Sequence, residues 1–422
     1  MLPDIATCLA ARSRRDEHFS GVFVVGDGSR FCVSHCPSRL PARSRMTIFA
    51  SAPAALVAGL EPCARCTPLT APRIPDWRIE NRSVVGALRL IQRGFLRSNS
   101  TQALAARLGV SAGELRKHFI AELGVSPSGW SKAQAQHIKS QQQATRGSAR
   151  TEPLKFVVPL REPFDDRWVF EFLDKRSLPG VEEVVDGCYR RRINTRANVE
   201  QWLSVRYSKG ELSVELPPAL RHQSTELLAR VCHVFDVHAD PQVIDSTLKK
   251  EAWLGPQVTG GMRVPGAWDG FETGVRAILG QQVSVARARN LAIELMQRFG
   301  SGGFPSPEAL VEADVSAVGM PGKRGEAVRQ LAAATLSGAL QLDNAVDAQT
   351  QFETLCALPG IGPWTAGYVA MRIAGDANAF PRGDWVILKQ LGMTAAVAER
   401  YSHRWAPFRA YALMYIWQAS SS

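Results

Sequence analysis

Leu358-Pro359-Gly360-Ile361-Gly362-Pro363-Trp364-Thr365-Ala366, with Phe380-Pro381-Arg382-Gly383-Asp384 further on, is the stretch on which the reading of this chain turns. Two glycines one residue apart allow a tight hairpin between two helical patterns. The helix that opens at Trp364 leaves its first N–H groups facing outward. Such a nest suits a DNA phosphate, and the hairpin carbonyls are placed to hold a monovalent cation. A Gly-x-Gly step alone is more often just a turn. Here the flanking helices and Asp384 give Gly360 and Gly362 their weight as DNA-binding candidates.

Outward from the hairpin, the chain from Gly270 on is mainly helical in pattern. Upstream, Phe156-Val157-Val158, 187–193, 202–207 and 212–216 read as strands, and Pro217-Pro218 breaks the last of them. A helix from about Ser224 to Phe235 completes a small α/β subdomain. Residues 139–152 are polar and read as a linker.

Before that linker, residues 84–130 read as helical. Ser100-Thr101 caps a short helix through Leu108, Gly109 supplies a turn, and Ser111-x-x-Glu114 is a capping box. Leu115 and Phe119 face inward, which leaves Arg116 and Lys117 as candidates for contact with a DNA groove. A plain helical hairpin with a solvated basic face fits the same pattern.

Eight cysteines are present, and four form two tight pairs, Cys32-x3-Cys36 and Cys63-x2-Cys66. Short-spaced pairs put two thiolates on one turn of chain, and two such turns complete a tetrahedral Zn²⁺ site. Composition agrees with an anionic partner. Apolar residues make up 45% and charged residues 21% of 422, as in an ordinary globular protein and unlike a disordered, collagenous or coiled-coil chain. The net charge of +11 is concentrated at the start: residues 1–150 carry 21 Lys+Arg against 9 Asp+Glu, and the rest is near neutral. Nucleic acid is the expected partner rather than membrane, because no basic amphipathic anchor and no long apolar span accompanies the charge. The start, Met1 to Ala11, is too broken for a signal peptide, so a cytoplasmic protein is expected.

Two resemblances sharpen these readings. The first pair of cysteines within Phe31–Cys36, then Phe49-Ala50-Ser51 and Ala54–Cys66, resembles the N-terminal domain of the Ada family. That resemblance implies a zinc site at Cys32, Cys36, Cys63 and Cys66, with Cys32 taking a methyl group from a DNA methylphosphotriester. Val33-Ser34 departs from the Arg-Pro that usually follows the first cysteine. Leu104 to Ser111, Phe119 and Gly124 to Trp130 resemble one half of the AraC-type helix-turn-helix unit that follows in Ada. The second half, and the Pro-Cys-His-Arg run of the alkylguanine acceptor, are missing.

The C-terminal two-thirds, about 154–419, resembles the AlkA type of DNA-3-methyladenine glycosylase II, in the helix-hairpin-helix superfamily. The match runs through Ser177–Glu182, Phe235-Asp236, Arg276–Ala286, the hairpin and Pro407–Trp417. It implies that Asp384 is the catalytic carboxylate and that Trp364, Tyr368, Trp417 and Phe172 line a pocket for the flipped base. It places Gln282 in the gap that base leaves, with Gln281 beside it at the DNA. Trp364 stands where bifunctional relatives carry a lysine, so no strand cleavage is expected. No cysteine follows Cys356, which excludes an iron–sulfur cluster of the endonuclease III kind.

The expected fold is multidomain α+β: a zinc domain at 1–72, half a helix-turn-helix at 73–138, a linker at 139–153, an α/β subdomain at 154–242 and an all-α glycosylase domain at 243–422. The expected function is repair of double-stranded DNA carrying alkylated bases, by a monomer working at the bacterial nucleoid. The alternative is an alkylation-responsive regulator that holds promoter DNA through a non-catalytic glycosylase fold.

Overall fold

The computed structural model describes residues 5–15, 24–34, 36, 38–39, 42–63, 65–66, 68–69, 81–92, 94–144, 152–193, 200–343 and 346–421. Along the chain the helices are α1 (Ile5–Arg14), α2 (Ala52–Val57), α3 (Arg82–Gln92), α4 (Thr101–Arg107), α5 (Ala112–Leu123), α6 (Pro127–Ala144), α7 (Asp166–Asp174), α8 (Ser224–Val234) and α9 (Pro241–Leu248). They continue with α10 (Gly270–Leu279), α11 (Val285–Phe299), α12 (Pro307–Leu310), α13 (Gly322–Leu336), α14 (Ala348–Cys356), α15 (Pro363–Val369), α16 (Trp385–Leu391), α17 (Ala395–Ser402) and α18 (Arg409–Ser421). No helix among the described residues is long and apolar enough to cross a membrane.

Two compact units are present, and neither is one continuous stretch. The first comprises residues 1–161, 205–232 and 237–239; the second comprises 162–204, 233–236 and 240–422. The first unit contains a four-stranded sheet of β1 (Val24–Gly26), β2 (Arg30–Cys32), β3 (Thr47–Phe49) and β4 (Glu61–Pro62), in the order β3-β1-β2-β4. β1 pairs antiparallel with β2 and β3, and β2 pairs parallel with β4. Helix α1 packs Cys8 and Ala11 against Met46 and Ile48.

The helical part of this unit follows its capping residues. Ser100 Oγ accepts from the Ala103 N–H to start α4, and Gly109 turns the chain at φ +68°. Ser111 and Glu114 make both halves of the capping box that opens α5, whose Leu115 and Phe119 are fully buried. Helix α6 runs on to Ala144, so residues 139–144, read as linker, are helical here. Lys and Gln are good helix formers, and a polar exposed helix has the composition of a linker. The same unit contains β5 (Leu154–Pro159) paired antiparallel with β9 (Glu211–Leu216).

In the second unit β6 (Glu182–Val185) and β7 (Cys188–Ile193) form an antiparallel hairpin. Strand β8 (Gln201–Ser208) belongs partly to each unit. The helices of the second unit enclose an apolar core in which α10 supplies Val275, Ile278 and Leu279, packed with Leu331, Leu355 and Val369. Side chains of Asp165, Asp240, Asp269, Ser284, Ser306, Asp347 and Asp384 accept backbone N–H groups at the starts of α7, α9, α10, α11, α12, α14 and α16. Helix α15 continues as a π-helical turn, Ala370–Ala374, which carries Arg372 inward.

Candidate active site and metal centre

The hairpin lies between α14 and α15. Gly360 sits at φ +80°, and a Cβ there would stand 2.8 Å from Ala327 Cβ on α13, so both conformation and space require glycine. Gly362 precedes Pro363, the first residue of α15, and no side chain caps that end. Gln281 Nε2 donates to Gly360 O (3.1 Å) and to Thr365 Oγ1 (3.0 Å). Its amide therefore clamps the hairpin onto the loop after α10.

Asp384 caps α16 and is 6% exposed. Its Oδ1 accepts from the Ile387 N–H (3.1 Å) and Trp417 Nε1 (3.2 Å), and its Oδ2 accepts from Trp364 Nε1 (3.0 Å). Two indoles read as pocket walls thus also aim the carboxylate. Trp364 and Tyr368, four residues apart, stack on each other at 5.6 Å and 15°, and Tyr368 lies 6.4 Å from Trp417. These groups, with Gln281 and Gln282, line one cleft of about 1030 Å³. Gln282 is held at φ +54°, a strained left-handed position for a side-chain-bearing residue.

Phe172 lines the same cleft, from beneath two cationic groups. It lies on α7, is 1% exposed, and carries the Arg176 guanidinium at 3.7 Å and that of Arg372 at 4.8 Å from its ring centre. Arg372 Nη1 also donates to the Tyr368 hydroxyl at 2.6 Å. Burial pushes the Tyr368 phenol up, but the guanidinium groups of Arg372, Arg176 and Arg276 outweigh it and hold the phenol below its ordinary value. Burial brings Arg176 down to about 10.

Beneath the cleft Arg276 pairs with Glu182 (2.8 Å) and Glu272 (2.7 Å), and Arg191 pairs with the same two carboxylates. Burial alone would raise Glu272; Arg191 and Arg276 bring it down to about 2. Sequence reasoning missed this charged floor. Its one visible signal was the four-residue spacing of Glu272 with Arg276 and of Tyr368 with Arg372.

In the first unit the parallel pairing of β2 with β4 brings the two cysteine pairs together. The four Sγ atoms of Cys32, Cys36, Cys63 and Cys66 lie within 4.8 Å of one another. Cys32 is half-buried, while the other three are buried. Buried Arg12, on α1, donates to Ser34 O (3.3 Å) and Cys36 O (3.2 Å) and fixes the turn between the first two thiols. Sulfur contacts with Cys36, then burial, push the Cys32 thiol up to about 12, while Cys36 is lowered by its contact with Cys32. Four thiols this close share their protons unless a cation draws all of them into the thiolate form, so the donor set fits Zn²⁺. On α5, Arg116 and Lys117 are exposed, while His118 Nδ1 meets Asn81 Nδ2 at 2.7 Å. Ser51 Oγ donates to Leu123 O (2.8 Å) and ties α2 to the end of α5.

A glycine hairpin feeding a helix whose indole holds a capping aspartate thus stands on the same chain as a four-cysteine cluster that fits a metal ion. The comparisons with known proteins agree. The metal binding domain of Ada matches residues 7–68, and the AlkA N-terminal domain matches 155–269. The probable bifunctional transcriptional activator/DNA repair enzyme AlkA of Mycobacterium tuberculosis H37Rv is 30% identical over 99% of this chain and 97% of its own length. DNA-3-methyladenine glycosylase 2 of Escherichia coli K12 is 37% identical over 62% of this chain and 96% of its own. The solved 3-methyladenine DNA-glycosylase of Archaeoglobus fulgidus shares the fold, with a TM-score of 0.53 at 20% identity over 62% of this chain and 96% of that one. The chain belongs to the family of Ada-fused AlkA proteins.

Proposed function

We propose that the protein repairs alkylated double-stranded DNA by hydrolysing the N-glycosidic bond of alkylated bases of the 3-methyladenine type, after the base has been flipped into the cleft. The observation that carries this reading is the Asp384 carboxylate, fixed at the cleft by the indole N–H groups of Trp364 and Trp417. As the C1′–N bond breaks, its electron pair leaves with the base and positive charge builds on the sugar. Asp384 stabilises that charge and orients the water whose oxygen bonds to C1′ as its proton passes to the Asp384 carboxylate and on to solvent. An alkylated purine is already cationic and departs without a second carboxyl to protonate it, in contrast to ordinary glycosidases. Trp364 occupies the position of a Schiff-base lysine, so the reaction stops at an abasic site with the strand intact. Gly360 and Gly362 offer backbone N–H groups to a phosphate, the hairpin carbonyls suit a monovalent cation, and Gln282 fills the space the base leaves.

At the N-terminus Cys32, Cys36, Cys63 and Cys66 would hold Zn²⁺, which keeps thiolates available at neutral pH. Cys32 is the acceptor, as the resemblance to Ada implies, and it is the most exposed of the four. Its sulfur bonds to the methyl carbon of a methylphosphotriester as the carbon–oxygen bond breaks, and the electron pair stays on the phosphate. Arg116 and Lys117 contact DNA beside it.

The decisive experiment is release of free 3-methyladenine from methylated duplex DNA by the wild type and by Asp384→Asn. Wild type releases base and the variant does not, although asparagine still caps α16. A folded, DNA-binding wild type that releases no alkylated base overturns the enzyme reading in favour of a regulator. Methyl transfer is read separately, as the mass of one added CH2 on Cys32 after exposure to methylated DNA, absent in Cys32→Ser.

A further inference from the structure

Trp385 directly follows Asp384 and is 70% exposed, the highest value for any large apolar side chain among the described residues. It stands on the rim of the cleft that contains Asp384, Trp364 and Gln282. One turn along α16, the Lys389 ammonium lies 5.2 Å from the centre of its ring. Four other aromatic groups of the cleft already have work: Trp364 and Trp417 hold Asp384, Tyr368 accepts from Arg372, and Phe172 lies under two guanidinium groups. Trp385 does nothing comparable for the fold. An indole kept in water beside the reacting carboxylate is unfavourable in the free protein and becomes favourable only when something flat covers it.

We propose that Trp385 is a DNA platform: its indole stacks on the nucleotide next to the extruded one in the damaged strand, and Lys389 meets the adjoining phosphate. This rests on the glycosylase reading, because it takes Asp384 to face the sugar of the extruded nucleotide. Consecutive Cα atoms are about 3.8 Å apart, so the residue after Asp384 lies within reach of the neighbouring nucleotide. Every base offers a π face, so such a contact adds affinity without sequence preference. A lysine beside the ring supplies the charge that a phosphate requires.

The test uses the full chain and a short duplex with a single 3-methyladenine, and follows single-turnover base release against protein concentration. Trp385→Ala raises the half-saturating concentration about tenfold, the size expected for one lost base–aromatic stack, and Trp385→Phe recovers most of it. The rate at saturation stays within about threefold of wild type, since the platform binds and does not react. Lys389→Ala flattens the slope of log affinity against log salt by about 0.9, one phosphate contact. Trp385 is solvent-exposed, so its replacement leaves the fold intact. An unchanged half-saturating concentration in Trp385→Ala overturns the proposal, and so does a loss confined to the saturating rate. Binding to a duplex with an abasic-site analogue is measured in parallel. A wild type that binds but releases no base refutes the glycosylase reading, and the binding ratio of Trp385→Ala to wild type still decides the platform.

Discussion

At the scale of single residues, the carboxylate of Asp384 is oriented by hydrogen bonds that a ring-based reading of Trp364 and Trp417 does not reveal. Hydrogen bonds to charged groups are worth about 1.5–3 kcal/mol. Trp417→Phe keeps the ring and loses the N–H on Oδ1. Its base-release rate at saturation is expected to fall about 10- to 100-fold, with little change in DNA affinity, because the lost bond acts on the carboxylate. Single-turnover rates measured at several protein concentrations separate the two. The sequence pointed to the rings of Trp364 and Trp417 but not to their N–H bonds to Asp384. A pattern shows that an indole is present but not where its N–H points, since that depends on α15, α16 and α18 together. Phe172 illustrates the opposite limit: its ring and Arg176, four residues on, were legible, whereas Arg372 comes from a distant part of the chain that only the fold brings over the ring.

At the scale of elements, caps and turns were the most legible features because their chemistry is local. Ser100, Gly109 and the Ser111–Glu114 box start and stop α4 and α5 as their residue types dictate. The hairpin was equally plain, yet its partner was not: Gln281 is 79 residues from Gly360, and only the fold brings its amide there. Gly360→Ala should destabilise the second unit by about 1–2 kcal/mol, since φ +80° is strained for alanine and the new methyl meets Ala327. Denaturant unfolding checks this, and the same variant should bind duplex DNA more weakly. Helices α1 and α7 escaped the reading, as did the strands of the zinc module, which at two or three residues are too short to show an alternation.

At the scale of the whole molecule, charge is distributed in two different ways. The first 150 residues carry the net excess, which the sequence displays directly. The second unit instead hides a balanced cluster of Arg191, Arg276, Glu182 and Glu272 under the cleft, which no net count reveals. Glu272 is depressed to about 2 from an ordinary value of 4.5, so its pairing stabilises the folded state above about pH 4.5, and that contribution is lost as pH falls towards 2. Calorimetry should show the unfolding temperature of the second unit dropping across that window. Glu272→Gln should remove part of the pH dependence. It should also lower stability at neutral pH by about 3–5 kcal/mol, because Arg191 keeps its charge with half its partners gone.

One feature of the first unit sets the two proposed activities on different footings. Of four clustered thiols, Cys32 is the most open to solvent. A methyl thioether, unlike a disulfide, is not undone by exchange with another thiol. Each molecule can therefore answer a backbone lesion once and remains marked afterwards, while the cleft around Asp384 is left unchanged by every base it releases. After exposure to a methylating agent, the protein in a cell sorts into spent and fresh copies. The ratio of the two is a cumulative dosimeter, independent of how many bases have been removed.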